Sequence, residues 1–220
     1  MCTLVVAHHV CSGFPIVVAA NRDEYLDRPS EPPARRDTEF GIVAPKDLVR
    51  GGAWIGVNHY GVLAAVTNRI DVPSHRGRIS RGTIVMNALR HPSAQRAFDE
   101  ALLLAGDDIA EFHLVVADQQ DLFLFSGDGR TITWSRESSG LLVVSNHGCG
   151  RFDAPGDSRR VENVLNSWRA HDMTTAAPTI ATLTPILDIH DDGRFGTCVF
   201  DADDRYSTKS SSIITLDVRP

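Results

Sequence analysis

At 220 residues with 42% apolar side chains, the chain can bury a sizeable core, and one domain over 1–220 is the expectation. A net charge of −6, with basic residues scattered except for Arg76, Arg78 and Arg81, leaves no phosphate-binding face and argues against nucleic acid as a partner. Four widely spaced cysteines (Cys2, Cys11, Cys149, Cys198) without a C-x-x-C pair fit a reducing compartment rather than a disulfide frame.

The first element is a hairpin. Thr3 to Ala7 and Pro15 to Ala20 are short apolar, β-branched runs separated by a stretch containing the turn signal Ser12-Gly13. A turn centred there makes partner positions sum to about 25, which sets Cys2 opposite Asp23 within a residue or two. Asn21 to Glu24 interrupt the apolar run after too few residues for an export signal or membrane span, so a cytoplasmic protein is expected.

A residue as small as Cys2 after Met1 permits an aminopeptidase to remove the methionine. Cys2 would then carry both a thiol, with a reference pKa of about 8.5, and an α-amine, at about 7.7–8.0. The amine can take the thiol's proton, the thiolate is the nucleophile, and a carboxylate at Asp23 would hold the amine. The alternative for the same residues is a small apolar side chain opening one buried strand and an acid closing the next.

Further along, the proline- and charge-rich stretch from Leu26 to Leu48 reads as a long irregular loop. Gly52 to Val57 and Val62 to Thr67, joined across Asn58 to Gly61, form a second hairpin ending at Asn68. Helices follow from caps at Ser80 and Ser93, reaching Arg90 and Ala105. A four-stranded meander is then expected from Phe112–Ala117, Leu122–Phe125, Thr131–Trp134 and Leu141–Val144, the last running into Asn146. Two helices, Asp157 to Ala170 and Thr179 to Ile189, precede closing strands around Thr197 to Asp201 and Ser211 to Leu216. Blocks of antiparallel strands separated by helix pairs are most economically layered as α+β, two stacked sheets with helices outside. No metal site is expected: neither His8-His9 nor His147-Gly148-Cys149 has ligand spacing.

A series of blocks in order resembles the NRDE family, which includes the transport and Golgi organisation protein 2 homologues. They are Ala19 to Glu24, Arg28-Pro29, Gly51 to Asn58, Leu63 to Asn68, and the set Ser80-Arg81-Gly82, Val144-Ser145-Asn146 and Tyr206 to Ser212. That family resembles the N-terminal-nucleophile hydrolases of the choloylglycine hydrolase and penicillin V acylase branch. The resemblance implies an αββα fold, Cys2 as nucleophile, and Asp23 as the carboxylate beside its amine. It also implies Asn68 and Asn146 as the two asparagines of the catalytic centre, one an oxyanion donor and one a positioning residue. Ala20 stands where that branch carries an arginine, and Lys209 where the NRDE pattern usually has one, which removes a bidentate fork. Arg22, Trp54 and Lys209 are the candidates for substrate binding.

The activity implied is an amidohydrolase or acyltransferase that attacks a non-peptide amide through an acyl-enzyme at Cys2, with a small-molecule amide or acyl substrate and no cofactor. The second reading is a non-catalytic carrier that binds a hydrophobic metabolite, lipid or haem in the same cavity.

Overall fold

The opening hairpin consists of β1 (Cys2–Cys11) and β2 (Phe14–Tyr25). Its turn is where the sequence puts it: Cys11 pairs with Phe14, and Gly13 takes a φ of +80°, a backbone that only glycine adopts without strain. One feature shifts the register. Between Cys11 and His8, which pairs with Ile16, two residues of β1 oppose the single Pro15, a β-bulge with His9 at φ +54°. Proline suits the opposing position because it has no N–H to donate. The bulge lowers the pairing sum by one, so Cys2 faces Arg22 rather than Asp23, and Thr3 faces Asn21.

The computed structural model describes residues 2–73, 77–103, 108–152, 156, 158–171, 178–191, 195–201, 203 and 205–217. The chain forms two units, one of 1–27 with 139–220 and one of 28–138. The expected helix end at Ala105 and helix start at Asp157 lie outside the described residues.

In the first unit, β1 and β2 lie at the middle of a six-stranded antiparallel sheet ordered β11, β10, β1, β2, β13, β12. Its other strands are β10 (Gly140–Ser145), β11 (Gly148–Arg151), β12 (Phe200–Asp201) and β13 (Tyr206–Leu216). Leu141 to Val144 was expected to close the meander, yet β10 pairs with β1, Thr3 opposite Ser145 and Ala7 opposite Leu141. Burial explains the difference. β10 is apolar on both faces and needs a central position, whereas β9 (Ile132–Arg136) is half exposed and ends its own sheet.

Two helices cover one face of this sheet: α3 (Arg159–Ala170) over β10 and β11, and α4 (Ile180–Leu187) over β2 and β13. Ser158 caps α3 by accepting the Val161 N–H, and Thr179 and Thr182 form a capping box on α4. Val5, Ala7, Val17, Ala19, Leu141 and Val143 from the strands pack with Val161, Val164, Leu165, Trp168, Leu183 and Ile186. The alternate strand residues Leu4, Val6, Ile16, Val18, Leu142 and Val144 are also buried.

The second unit has a seven-stranded antiparallel sheet in simple chain order, from β3 (Ser30–Arg35) and β4 (Val43–Asp47) through β5 (Ile55–Val57), β6 (Leu63–Asn68), β7 (Phe112–Ala117) and β8 (Leu122–Gly127) to β9. The stretch expected to be loop therefore carries two strands. Pro32 and Pro33 fall in β3 at the sheet's edge, where the pairing with β4 is interrupted between Glu31 and Ala34. Arg28, of the Arg-Pro block, forks onto Asp47 beside it, with Nε at 3.1 Å and Nη2 at 2.5 Å from Oδ2. Helices α1 (Arg81–Ala88) and α2 (Ala94–Leu102) pack on this sheet around Phe98, Phe112, Phe123 and Phe125. Two antiparallel sheets, each flanked by its own helix pair, are the components of the αββα class expected from the sequence. Among the described residues no helix is long and apolar enough to cross a membrane.

Candidate active site

The site in the first unit begins where β1 begins. Antiparallel pairing places directly opposed residues on one face of a sheet and their chain neighbours on the other. Cys2 therefore shares a face with Arg22 and, across β13, with Ser210, while Thr3, Asn21 and Asp23 turn to the face covered by α3 and α4. Because β10 runs antiparallel to β1 with Ser145 opposite Thr3, the next residue, Asn146, arrives beside Cys2. The Cys2 backbone N–H donates to Asn146 Oδ1. Cys2 Sγ lies 4.0 Å from the backbone carbonyl oxygen of Asp23, a weak S–H donor contact.

Asp23 is buried at 3% exposure, and its carboxylate is held from both sides. Arg160 Nη1 lies 3.0 Å from Oδ2, and the Thr208 hydroxyl donates to Oδ1 at 2.6 Å. The same Arg160 nitrogen reaches Thr3 Oγ1 at 3.2 Å, and the Tyr206 hydroxyl donates to the Asp23 backbone carbonyl at 2.7 Å. Arg160 was not read from the sequence as a site residue. Its signal is positional: it precedes Val164 and Trp168 at helical spacing, so a guanidinium occupies a place in the buried stripe of α3, and it is 0% exposed. A charge in that place requires a buried partner.

Burial is the main influence on the Cys2 thiol and pushes its pKa above its ordinary value; the terminal ammonium acts most strongly against it, the Asp23 negative charge adds to the rise, and the Asp23 backbone contact and Arg22 lower it. The consequence is testable. In a chain that retains a residue ahead of Cys2, alkylation of Cys2 by iodoacetamide, followed by peptide mapping, should stay slow through neutral pH and reach its midpoint above 9.0. Removing the residue ahead of Cys2 moves the terminal ammonium onto Cys2 itself and should bring that midpoint down. A midpoint below 9.0 before processing would contradict the burial argument.

The remaining candidates are placed as follows. Arg22 is 6% exposed, with Nη2 at 3.5 Å from Glu24 Oε2. Lys209 is the extra residue of a second β-bulge, between Thr208 and Ser210, and its Nζ donates to the Leu26 carbonyl at 3.0 Å. Asn21, inside β2, serves a structural purpose: its Nδ2 donates to the Leu187 and Thr197 carbonyls at 2.8 and 2.9 Å, tying the C-terminal segment to β2. Asn68 and Trp54 belong to the other unit. Asn68 is exposed at the end of β6 opposite Phe112, and Trp54 is half-buried ahead of β5. The structure thus brings Cys2, Arg22, Asp23 and Asn146 together within one unit.

The chain is similar in structure to a conjugated bile acid hydrolase from Clostridium perfringens, with a TM-score of 0.60 at 11% identity, covering 99% of this chain and 92% of that one. It is also similar to a Caenorhabditis elegans N-acylethanolamine-hydrolyzing acid amidase ortholog, with a TM-score of 0.61 at 12% identity, covering 96% and 99%. These likenesses are of fold alone. The chain belongs to the Transport and Golgi organisation 2 (TANGO2) family, whose sequence model matches residues 1–219. Transport and Golgi organization protein 2 homologs of Bos taurus and Homo sapiens are 26% and 27% identical over 110 residues, which is 49% of this chain and 40% of each relative. The matched stretch thus spans less than half the length of those relatives.

Proposed function

We propose that the protein is an N-terminal cysteine amidohydrolase or acyltransferase acting on a linear, non-peptide amide. The observation that supports this best is the convergence on Cys2: its nitrogen is held by Asn146, its sulfur lies against the Asp23 backbone carbonyl, and the Asp23 carboxylate is fixed by Arg160 and Thr208. The reaction requires Cys2 to become the chain terminus through loss of Met1. Its α-amine then takes the thiol proton, sulfur attacks the amide carbonyl, and the C–N bond breaks as the proton passes to the leaving nitrogen. Water, or an acceptor amine or alcohol, attacks the thioester and returns the thiol.

In this scheme Asn146 orients the amine, since its oxygen already accepts from the Cys2 nitrogen. The family resemblance implies a second asparagine, Asn68, and to it we assign the oxyanion-donor role. Asn68→Ala should lower kcat by about 10²–10³ with little change in KM, the signature of a group that acts on charge developing in the transition state. An equal loss spread into KM would point to substrate binding instead. Arg22, on the thiol's face, and Lys209 are assigned to an anionic part of the substrate, and Trp54 to an apolar part.

Conjugated bile acid and N-acylethanolamine are the substrates named for the two similar structures, and both are amides with a large apolar acyl group. The experiment is therefore release of free amine from a panel of N-acyl amides differing in acyl length and head-group charge. A chain beginning at Cys2 should turn over at least one of them, and a chain with residues retained ahead of Cys2 should not. Retention of an acyl ligand without turnover in either form would mark a carrier and overturn the enzyme reading.

A further inference from the structure

We propose that Asp188, His190 and Cys198 form a binding site for a transition-metal ion of the zinc class. One ligand atom from each lies within 4.8 Å of the others, and His190 Nε2 is 3.1 Å from Asp188 Oδ1. Around a tetrahedral zinc with bonds of roughly 2.0–2.3 Å, ligand atoms stand about 3.3–3.8 Å apart, so small side-chain rotations close the set. Imidazole and thiolate with one carboxylate favour zinc, cobalt or nickel over magnesium or calcium, which prefer all-oxygen shells. Three protein ligands leave a position for water or an exogenous group.

The backbone holds this arrangement in place. Asp188 follows α4 as its C-cap, and Ile189, one residue on, packs its side chain against the core of the first unit. Asp188 and His190 flank Ile189 and are both exposed, with their side chains in hydrogen-bond contact. Cys198 is brought alongside because its N–H donates to the Ile189 carbonyl at 3.1 Å, while the Ile189 N–H donates to Thr197 Oγ1 at 3.1 Å. Both segments are tied to the sheet. The buried Asn21 amide donates to the carbonyls of Leu187 and Thr197, the residues immediately before Asp188 and Cys198. Thr197 Oγ1 also donates to the Ile186 carbonyl at 2.9 Å. Asp191 is not a fourth ligand, since its two oxygens receive Arg159 and Asn163 at 2.9 Å each.

Asp188 and His190 are 63% and 69% exposed, so an ion reaches them from solvent and their substitution leaves the core intact. The site uses none of the groups assigned to acyl transfer, and its test reads metal binding rather than turnover. Full-length protein without a polyhistidine tag, stripped of metal, should bind one cobalt(II) per chain with a near-ultraviolet thiolate-to-cobalt charge-transfer band. Cys198→Ser should abolish that band, whereas Cys2→Ala should retain it. His190→Gln and Asp188→Asn, which are expected to fold normally, should each weaken zinc binding by calorimetry at least about tenfold. The proposal is overturned if the band is absent, if it survives Cys198→Ser, or if both exposed-residue variants bind zinc as the unmodified protein does.

Discussion

Replacing Cys2 by alanine is expected to lower kcat/KM for any amide the protein hydrolyses by roughly 10⁴-fold or more, while leaving the unfolding midpoint nearly unchanged. The size of the effect follows from the chemistry assigned to the residue: its sulfur forms the bond to carbon, and no other group at the site can replace it. The small effect on stability follows from its position. Cys2 is half-buried at the first residue of β1, it packs in neither of the two apolar clusters, and its nitrogen's bond to Asn146 survives the substitution. Steady-state kinetics together with urea denaturation separate the two. A variant that keeps turnover within tenfold of the parent would remove Cys2 from the mechanism.

The second large effect is on folding. Arg160→Met should cost about 3–5 kcal/mol, because it leaves the Asp23 carboxylate buried without its guanidinium. Asp23→Asn should be costly for the converse reason. The double variant Asp23→Asn, Arg160→Met should recover part of the loss, since removing both charges also removes the need to desolvate them. A urea-denaturation cycle over the four proteins measures the coupling. A loss below about 1 kcal/mol in Arg160→Met would mean that solvent or another cation already compensates Asp23, contrary to side chains that are both fully buried.

Much of this was visible in the residues, and where it was not the reasons are physical. The first hairpin follows from two apolar runs around Ser12-Gly13, and its turn is as read. The one-residue register shift was hidden because the bulge puts a histidine, His9, at positive φ, a conformation signalled from sequence almost solely by glycine or asparagine. The meander was extended one strand too far because pairing between consecutive strands is the default, and only burial on both faces removes β10 from it. Pro32, Pro33 and Pro45 concealed β3 and β4, since proline argues against strands except at edges and irregular positions. Arg160 is a polar residue near a helix start, and its place in line with Val164 and Trp168 is what marks it as buried. Asp188, His190 and Cys198 are separated by chain that no spacing rule connects, and the fold brings them together through the Asn21 ties and the bond from the Cys198 N–H to the Ile189 carbonyl.

The measurement closest to the central claim is the mass of the intact protein after exposure to a reactive acyl donor, followed by hydroxylamine. The account predicts a chain lacking Met1 that gains one acyl group on Cys2, loses it to hydroxylamine, and is not acylated when Cys2 is alanine. A mature chain that keeps a residue ahead of Cys2, or an acyl group that persists in Cys2→Ala, would contradict it.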